Sequence, residues 1–145
     1  MGASFCASCG SAIGQAAPNA GFQNSYPAAG NSISAAMWAH LGGLLAFFFG
    51  GMLFGWVPPL IIRGGATARG DRYVYEQATE ALNFHLQWLI INIALIIVTV
   101  ITCGIGGILY LVSYVLPIIF GIMASVASSR GENYRYPMMF FRIVK

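Results

Sequence analysis

The segment ATEALNFHLQW, residues 78–88, places polar side chains at the start of a strongly apolar stretch. Within it lie Glu80, Asn83, His85 and Gln87. Carboxylate, amide and imidazole groups exchange hydrogen bonds and protons. Inside a bilayer they are costly unless paired, so they usually face the interior of a helical bundle. These residues could therefore bond to neighbouring helices or line a polar path across a membrane.

On a helix, this spacing produces two neighbouring polar stripes. Glu80, Asn83 and Gln87 form one stripe, and His85 and Asn92 lie on the other. Two amides and a histidine are too few to line an ion route by themselves. We therefore favour hydrogen bonding between helices, and keep as the alternative an oligomeric pore lined by polar residues of this helix.

A second chemical signal is the cysteine pair Cys6 and Cys9 in FCASCGSAI, residues 5–13, which resembles one knuckle of a bacterial zinc ribbon. A structural zinc needs four ligands, and a second knuckle is missing. The knuckle could be unoccupied, two chains could share one zinc, or the pair could be a redox couple. A fourth interpretation completes the ligand set with Cys103 and His40. The last three would make this a metal- or thiol-dependent membrane protein.

Charge placement predicts the class of protein. The chain has 145 residues, of which 58% are hydrophobic and 8% charged, and all eleven charges fall in residues 63–80 and 130–145. A soluble domain is about one quarter charged and spreads its charges over its surface. This layout indicates an integral membrane protein. It offers no basic stripe for nucleic acid, whereas the short basic tail suits the headgroups of a lipid bilayer.

We divide the chain into a Cys-x-x-Cys segment with a flexible linker, residues 1–33, and a transmembrane helical domain, residues 34–145. The predicted spans are 35–62, 82–102 and 106–128, because about 20 apolar residues cross a bilayer. An open sheet would leave backbone donors unpaired in lipid. The predicted fold is therefore an all-α integral membrane bundle of about three transmembrane helices.

A cytoplasmic interfacial helix is predicted to precede the second span, starting near residue 71. With three spans, residues 63–80 and the tail share one side, which the positive-inside rule places in the cytoplasm. The amino-terminal segment would then lie on the opposite side. We expect a multi-pass protein of the bacterial inner membrane whose carboxyl terminus is cytoplasmic.

Small residues and prolines predict how the helices pack. Gly51 and Gly55 form a close-approach motif, while Pro58, Pro59 and Pro117 are expected to kink helices. A bundle this small buries little surface. We therefore expect a homo-oligomer or another membrane protein as partner.

Four blocks carry a family resemblance: AHLGGLL, PPLII, EALNFHLQ and RGENYRYP, which occur in this order between residues 39 and 137. Together they resemble a bacterial membrane family of unknown function related to the twenty-kilodalton Tic component of the chloroplast inner-envelope translocon. The resemblance implies a helical membrane domain and a role in moving or assembling proteins. The matched positions, all expected to be structural, are His40, Pro59, Asn83, Gln87, Gly131, Tyr136 and Pro137.

The sequence contains no Ser-His-Asp set, phosphate loop or paired carboxylates in a cleft-like context. We therefore predict a small non-enzymatic membrane protein that acts as a subunit or accessory of a membrane complex, with a translocation-like role.

Overall fold

The computed structural model describes residues 30–145 and the backbone of two short strands near the amino terminus. The strands β1 (Ser4–Phe5) and β2 (Ala12–Ile13) pair antiparallel, with Ser4 opposite Ile13. The helices are α1 (Gly30–Phe49), α2 (Val57–Gly64), α3 (Ala66–Gly70), α4 (Arg72–Ile101) and α5 (Ile108–Ser129). The predicted all-α membrane bundle is confirmed.

The two longest helices form an antiparallel hairpin. The Asp71 side chain caps α4 by accepting a 2.8 Å hydrogen bond from the backbone N–H of Tyr73, which satisfies one of the free donors of the first turn. At the other end, Gly104 has a φ of 98° and a short 3₁₀ turn, Ile105–Gly107, leads into α5. The predicted interfacial helix is the first part of α4, which continues without interruption into the apolar stretch.

The first predicted span differs from the structure, because α1 ends at Phe49 instead of continuing to residue 62. Gly51 and Met52 have φ values of 65° and 72°, in the left-handed region that reverses a chain. Helix α2 then starts at Val57 and carries two prolines in its first turn, where proline is well tolerated. The prolines 58 and 59 therefore begin a new helix, whereas the sequence interpretation had them kinking a continuous one.

Helices α1 and α2 form a hairpin that enters and leaves at the same end of the bundle. Ala36, early in α1, packs with Ala68 against Tyr73 and Val74 at the start of α4. Ile62, near the end of α2, packs against the same cluster.

The carboxyl end of α5 reaches this end as well, because the Tyr73 hydroxyl donates a hydrogen bond of 3.2 Å to the carbonyl of Ser128. Residue 30 therefore lies at the same end as residues 63–80 and the tail. The prediction of a first span that crosses to the charged loop differs from the structure, because the chain reverses after α1. The amino-terminal segment before residue 30 lies outside the described residues.

The lipid-facing character of the molecule follows from its outer surface. Three helices, Gly30–Phe49, Arg72–Ile101 and Ile105–Ser129 with its 3₁₀ turn, are long and apolar enough to cross a membrane. Large apolar side chains are exposed along them, among them Ile101, Ile108 and Leu111, each at least 70% exposed. Soluble monomers rarely expose apolar surface on this scale. The chain is a small membrane protein.

Candidate functional site

The polar stripe of α4, defined as Glu80, Asn83 and Gln87, lies under the tail, defined as residues 130–145. The tail begins where α5 ends in a Schellman motif: Gly131, with a φ of 75°, donates to the carbonyl of Ser128, and the N–H of Glu132 donates to that of Ala127. The predicted structural role of Gly131 thus has a physical basis. The tail then runs without regular secondary structure along α4.

Asn83 binds the end of the tail through its backbone. Its Nδ2 donates to the carbonyl of Val144 at 2.8 Å, and its Oδ1 accepts from the N–H groups of Ile143 and Val144 at 2.9 and 2.7 Å. Non-helical backbone at membrane depth is stable only where protein or water satisfies its polar groups. A single buried amide supplies three of those hydrogen bonds.

Gln87 binds an earlier part of the tail in the same way. Its Nε2 donates to the carbonyl of Met138 and its Oε1 accepts from the N–H of Phe140, both at 2.8 Å. Gln87 is 1% exposed. The two amides therefore hold an extended chain by its main-chain groups, as a neighbouring β-strand would.

Glu80 adds charge to this face. Its carboxylate accepts from the backbone N–H of Tyr136 at 3.3 Å and forms a salt bridge of 3.3 Å with Arg142. The Glu80 side chain is 9% exposed and that of Arg142 is 48% exposed. The ion pair thus links a buried carboxylate of α4 to a solvent-facing basic side chain of the tail.

His40 connects α1 to the tail. In the neutral tautomer with its proton on Nε2, His40 donates to Gln77 Oε1 at 3.1 Å and accepts from the Tyr136 hydroxyl at 2.9 Å. Burial raises the pKa of the Tyr136 hydroxyl well above its ordinary value, so this group keeps the proton that it donates. The Tyr136 ring also stacks on Phe84 with centroids 3.8 Å apart.

His85 lies on the neighbouring stripe and has a different environment. It is 2% exposed, and within residues 30–145 neither of its ring nitrogens has a hydrogen-bond partner. The ring fills a notch between Gly43 and Gly55. A Cβ added at either glycine would lie 2.5 Å from Nε2 or 2.6 Å from Nδ1, respectively. Gly55 of the predicted close-approach motif is therefore used within the chain.

Asn92 provides the interhelical hydrogen bond that the sequence predicted. Its Oδ1 accepts from the Ser113 hydroxyl of α5 at 3.2 Å, and its Nδ2 donates to the carbonyl of Trp88. Asn83 and Gln87, in contrast, contact the tail. Sequence reasoning missed this partner because the tail has no periodic pattern. The sequence carried no signal that identified the tail as this partner.

The remaining predicted positions have structural surroundings. Pro59 and Pro117 are fully buried, Pro58 packs against Gly42, and Pro137 is exposed. Gly51 lies in the turn that ends the α1 region.

The cysteines do not come together with His40. Cys6 and Cys9 lie outside the described residues. Cys103 is exposed in the turn after α4, at the opposite end of the bundle from the contacts of His40. The interpretation in which Cys103 and His40 complete a metal site is therefore wrong. Among the described residues, no group of three or more His, Cys, Asp or Glu could hold a metal ion.

All described charges gather at one end, which we call the charged end. Arg63, at the end of α2, donates to Thr79 Oγ1 at 2.9 Å, to the Tyr75 hydroxyl and to the main-chain oxygen of Lys145. Its guanidinium also lies 4.6 Å from the centroid of the Tyr75 ring. This side chain links α2, α4 and the tail, so the three segments form one polar surface.

A family model described as the magnetosome magnetite crystal formation protein family, MamF/MmsF, matches residues 31–144. No match was found among curated proteins or solved structures.

This match corrects the earlier resemblance. The expected relation to the Tic component is wrong, and the translocation-like role that rested on it is abandoned. The zinc-ribbon resemblance receives no support, since the match begins after Cys6 and Cys9. The matched region contains α1 to α5 and nearly the whole tail. The chain belongs to the MamF/MmsF family of magnetosome magnetite crystal formation proteins.

Proposed function

We propose that this protein is a non-enzymatic, multi-pass membrane component that contributes to magnetite crystal formation through its charged end. The match of the family model to residues 31–144 carries the proposal. The charge distribution supports the choice of surface. All seven basic and four acidic residues lie in segments 63–80 and 130–145, whereas the turn of residues 102–107 at the far end has none. Ions, mineral surfaces and protein partners with charged groups would bind at the charged end.

The orientation that we propose puts the charged end in the cytoplasm of a bacterial cell, with the bundle in the inner membrane. The positive-inside rule supports this orientation, because the short segments carrying every Lys and Arg are all at that end. Residue 30 is at the same end, so the cysteine segment would begin on the cytoplasmic side, where thiols are kept reduced.

The docked tail is the part of the charged end that we expect to matter most. Its main chain is held by the polar stripe while Arg135, Arg142 and Lys145 remain at the surface. The amides assigned to a pore in the alternative interpretation are occupied by the tail backbone, so they support a structural role.

Self-association stays a prediction. Gly55 of the close-approach motif faces His85 within the chain, so it is not free to contact a second copy. A homo-oligomer would instead use the exposed apolar surfaces of α4 and α5.

The test is complementation in a magnetite-forming bacterium from which the gene has been deleted. We expect the unaltered chain to restore crystal number and crystal length, measured by electron microscopy. Asn83→Leu combined with Gln87→Leu should restore them only partly, because the tail loses five backbone hydrogen bonds.

Asn92→Leu is the matched control, because this asparagine bonds to α5 and to its own helix and leaves the tail untouched. Cys6→Ser with Cys9→Ser should restore crystals fully. Immunoblots of membrane fractions check that all variants accumulate equally. If deletion of the gene leaves crystals unchanged, the proposed function is wrong. If the Asn83 and Gln87 double variant restores crystals to the same extent as Asn92→Leu, the proposed role of the tail is wrong.

A further inference from the structure

A cleft of about 270 Å³ lies at the charged end between the start of α4 and the tail. Arg135, Arg142 and Lys145 contribute cations to its lining, and Tyr75 and Tyr134 contribute phenol groups. Its volume is just below the range of about 300–1,000 Å³ seen for pockets of drug-sized ligands. A ligand that enters fully is therefore about the size of a headgroup.

The cleft favours an anion. Its two carboxylates are already neutralised, since Glu76 pairs with Arg72 at 2.6 Å and Glu80 pairs with Arg142 at 3.3 Å. Arg135 and Lys145 are exposed, and neither forms an ion pair with any residue in the range 30–145. Arg135 interacts with the Glu80 carboxylate only at longer range, because that carboxylate is already paired with Arg142. The three cations of the lining therefore outnumber its two carboxylates.

Exposed apolar side chains are the neighbours of Arg142 in the tail sequence. Phe140, Phe141 and Ile143 are 72%, 52% and 50% exposed, and they flank Arg142, which lines the cleft. Exposed aromatic side chains next to basic ones are typical of the membrane interface. A ligand with an anionic group and an apolar body would contact both surfaces at once.

We propose that this cleft binds the phosphate of an anionic phospholipid headgroup through Arg135 and Lys145, with the acyl chains along the apolar surface at Phe140 and Phe141. The guanidinium of Arg135 can donate two parallel hydrogen bonds to phosphate oxygens, and Lys145 adds a point charge. A free phosphate ion presents the same oxygens, and the neighbouring apolar surface favours the lipid. The assignment of this ligand does not depend on the proposed role in crystal formation.

The experiment uses the full chain in an uncharged detergent, titrated separately with phosphatidylglycerol and phosphatidylcholine and followed by native mass spectrometry. We expect one phosphatidylglycerol to bind in preference to phosphatidylcholine. Arg135→Gln with Lys145→Gln should weaken that binding by about 25-fold, from about fivefold for each basic side chain near an anionic lipid. The charge-preserving pair Arg135→Lys with Lys145→Arg should keep most of the affinity, which separates charge from folding.

Arg69→Gln with Arg130→Gln is the matched control, because it removes two cations at the same end that do not line the cleft. It should keep the preference for phosphatidylglycerol. Equal binding of the two lipids by the unaltered chain, or equal loss in both neutral double variants, would overturn the proposal. In the last arm, inorganic phosphate is added to compete with bound phosphatidylglycerol. If phosphate does not displace the lipid, the lipid assignment is supported. If phosphate displaces it at a similar concentration, the ligand is free phosphate and the lipid assignment is overturned.

Discussion

At the scale of residues, the main finding is that two buried amide side chains satisfy backbone hydrogen-bonding groups of the extended tail, as a neighbouring β-strand would. An extended segment at membrane depth needs partners for its N–H and C=O groups. Asn83 and Gln87 provide them from the side of a helix, and Glu80 adds an acceptor for Tyr136. The contacts reach main-chain atoms of the tail, so they depend weakly on which side chains the tail carries.

The first prediction concerns Asn83→Leu. This change removes the acceptor of the N–H groups of Ile143 and Val144, and each of these part-buried hydrogen bonds is worth about 0.5–1.5 kcal/mol. Hydrogen exchange in detergent micelles should show lost protection at these two amides. Protection at Phe140, which Gln87 holds, should fall less.

Asn92→Leu provides the comparison for that measurement, since Asn92 contacts Trp88 and Ser113 only within the bundle. Unchanged protection at residues 143 and 144 in the Asn83 variant would show that the tail is not held by this amide.

At the scale of elements, the sequence predicted the long hairpin better than the short one. The predicted spans 82–102 and 106–128 lie close to the apolar part of α4 and to α5, because an uncharged run ending at a glycine turn leaves few alternatives. The reversal after Phe49 was not predicted, since residues 50–56 are as apolar as the helix before them. Hydropathy cannot distinguish a turn of apolar residues from a continuous span. The chain reverses here because Gly51 and Met52 adopt left-handed backbone conformations.

The candidate site was predicted in part. The spacing of Asn83 and Gln87 correctly placed them on one stripe, and their burial followed from the cost of polar groups in lipid. Their partner could not be predicted, because the tail is extended and irregular and pairs with residues more than 50 positions away. Periodicity carries no information about such contacts.

The hairpin of α1 and α2 yields a second prediction. Gly43→Ala would place a Cβ 2.5 Å from Nε2 of His85, a distance that real Cβ contacts essentially never show. Overpacking of this kind costs about 1–3 kcal/mol. We expect lower thermal stability in micelles, recovered in part when His85→Ala is added.

Gly64→Ala is the control for this series, because a Cβ there meets no atom within 4 Å. It should be neutral or slightly stabilising, since alanine restricts the unfolded chain. Equal destabilisation by both glycine substitutions would contradict the notch between α1, α2 and His85.

At the scale of the whole molecule, the bundle is strongly asymmetric. Among the described residues, one end carries residue 30, the loop of residues 63–71 and the tail, and the other carries the uncharged turn of residues 102–107. Two helices, α4 and α5, connect the ends, while α1 and α2 enter and return. The charged end therefore carries the polar surface of the molecule, and the apolar helices α4 and α5 extend from it to the uncharged turn.

This asymmetry predicts that both ends of the chain are on one side of the membrane. Green fluorescent protein fused at either terminus should fluoresce, because it folds in the cytoplasm. In a chain with Cys6→Ser and Cys9→Ser, a membrane-impermeant maleimide should label the exposed Cys103 from outside the inner membrane. Fluorescence from only one fusion would contradict the hairpin of α1 and α2.

The long separation between the polar stripe and the tail also sets an order of events during synthesis. Asn83 bonds to Val144, 61 residues later in the chain. Helix α4 therefore leaves the ribosome with the side-chain amides of Asn83 and Gln87 unpaired, before the tail has been synthesised. Until the tail is made, water or the insertion machinery must cover these groups, so closure of the bundle is a step that follows translation of the last helix.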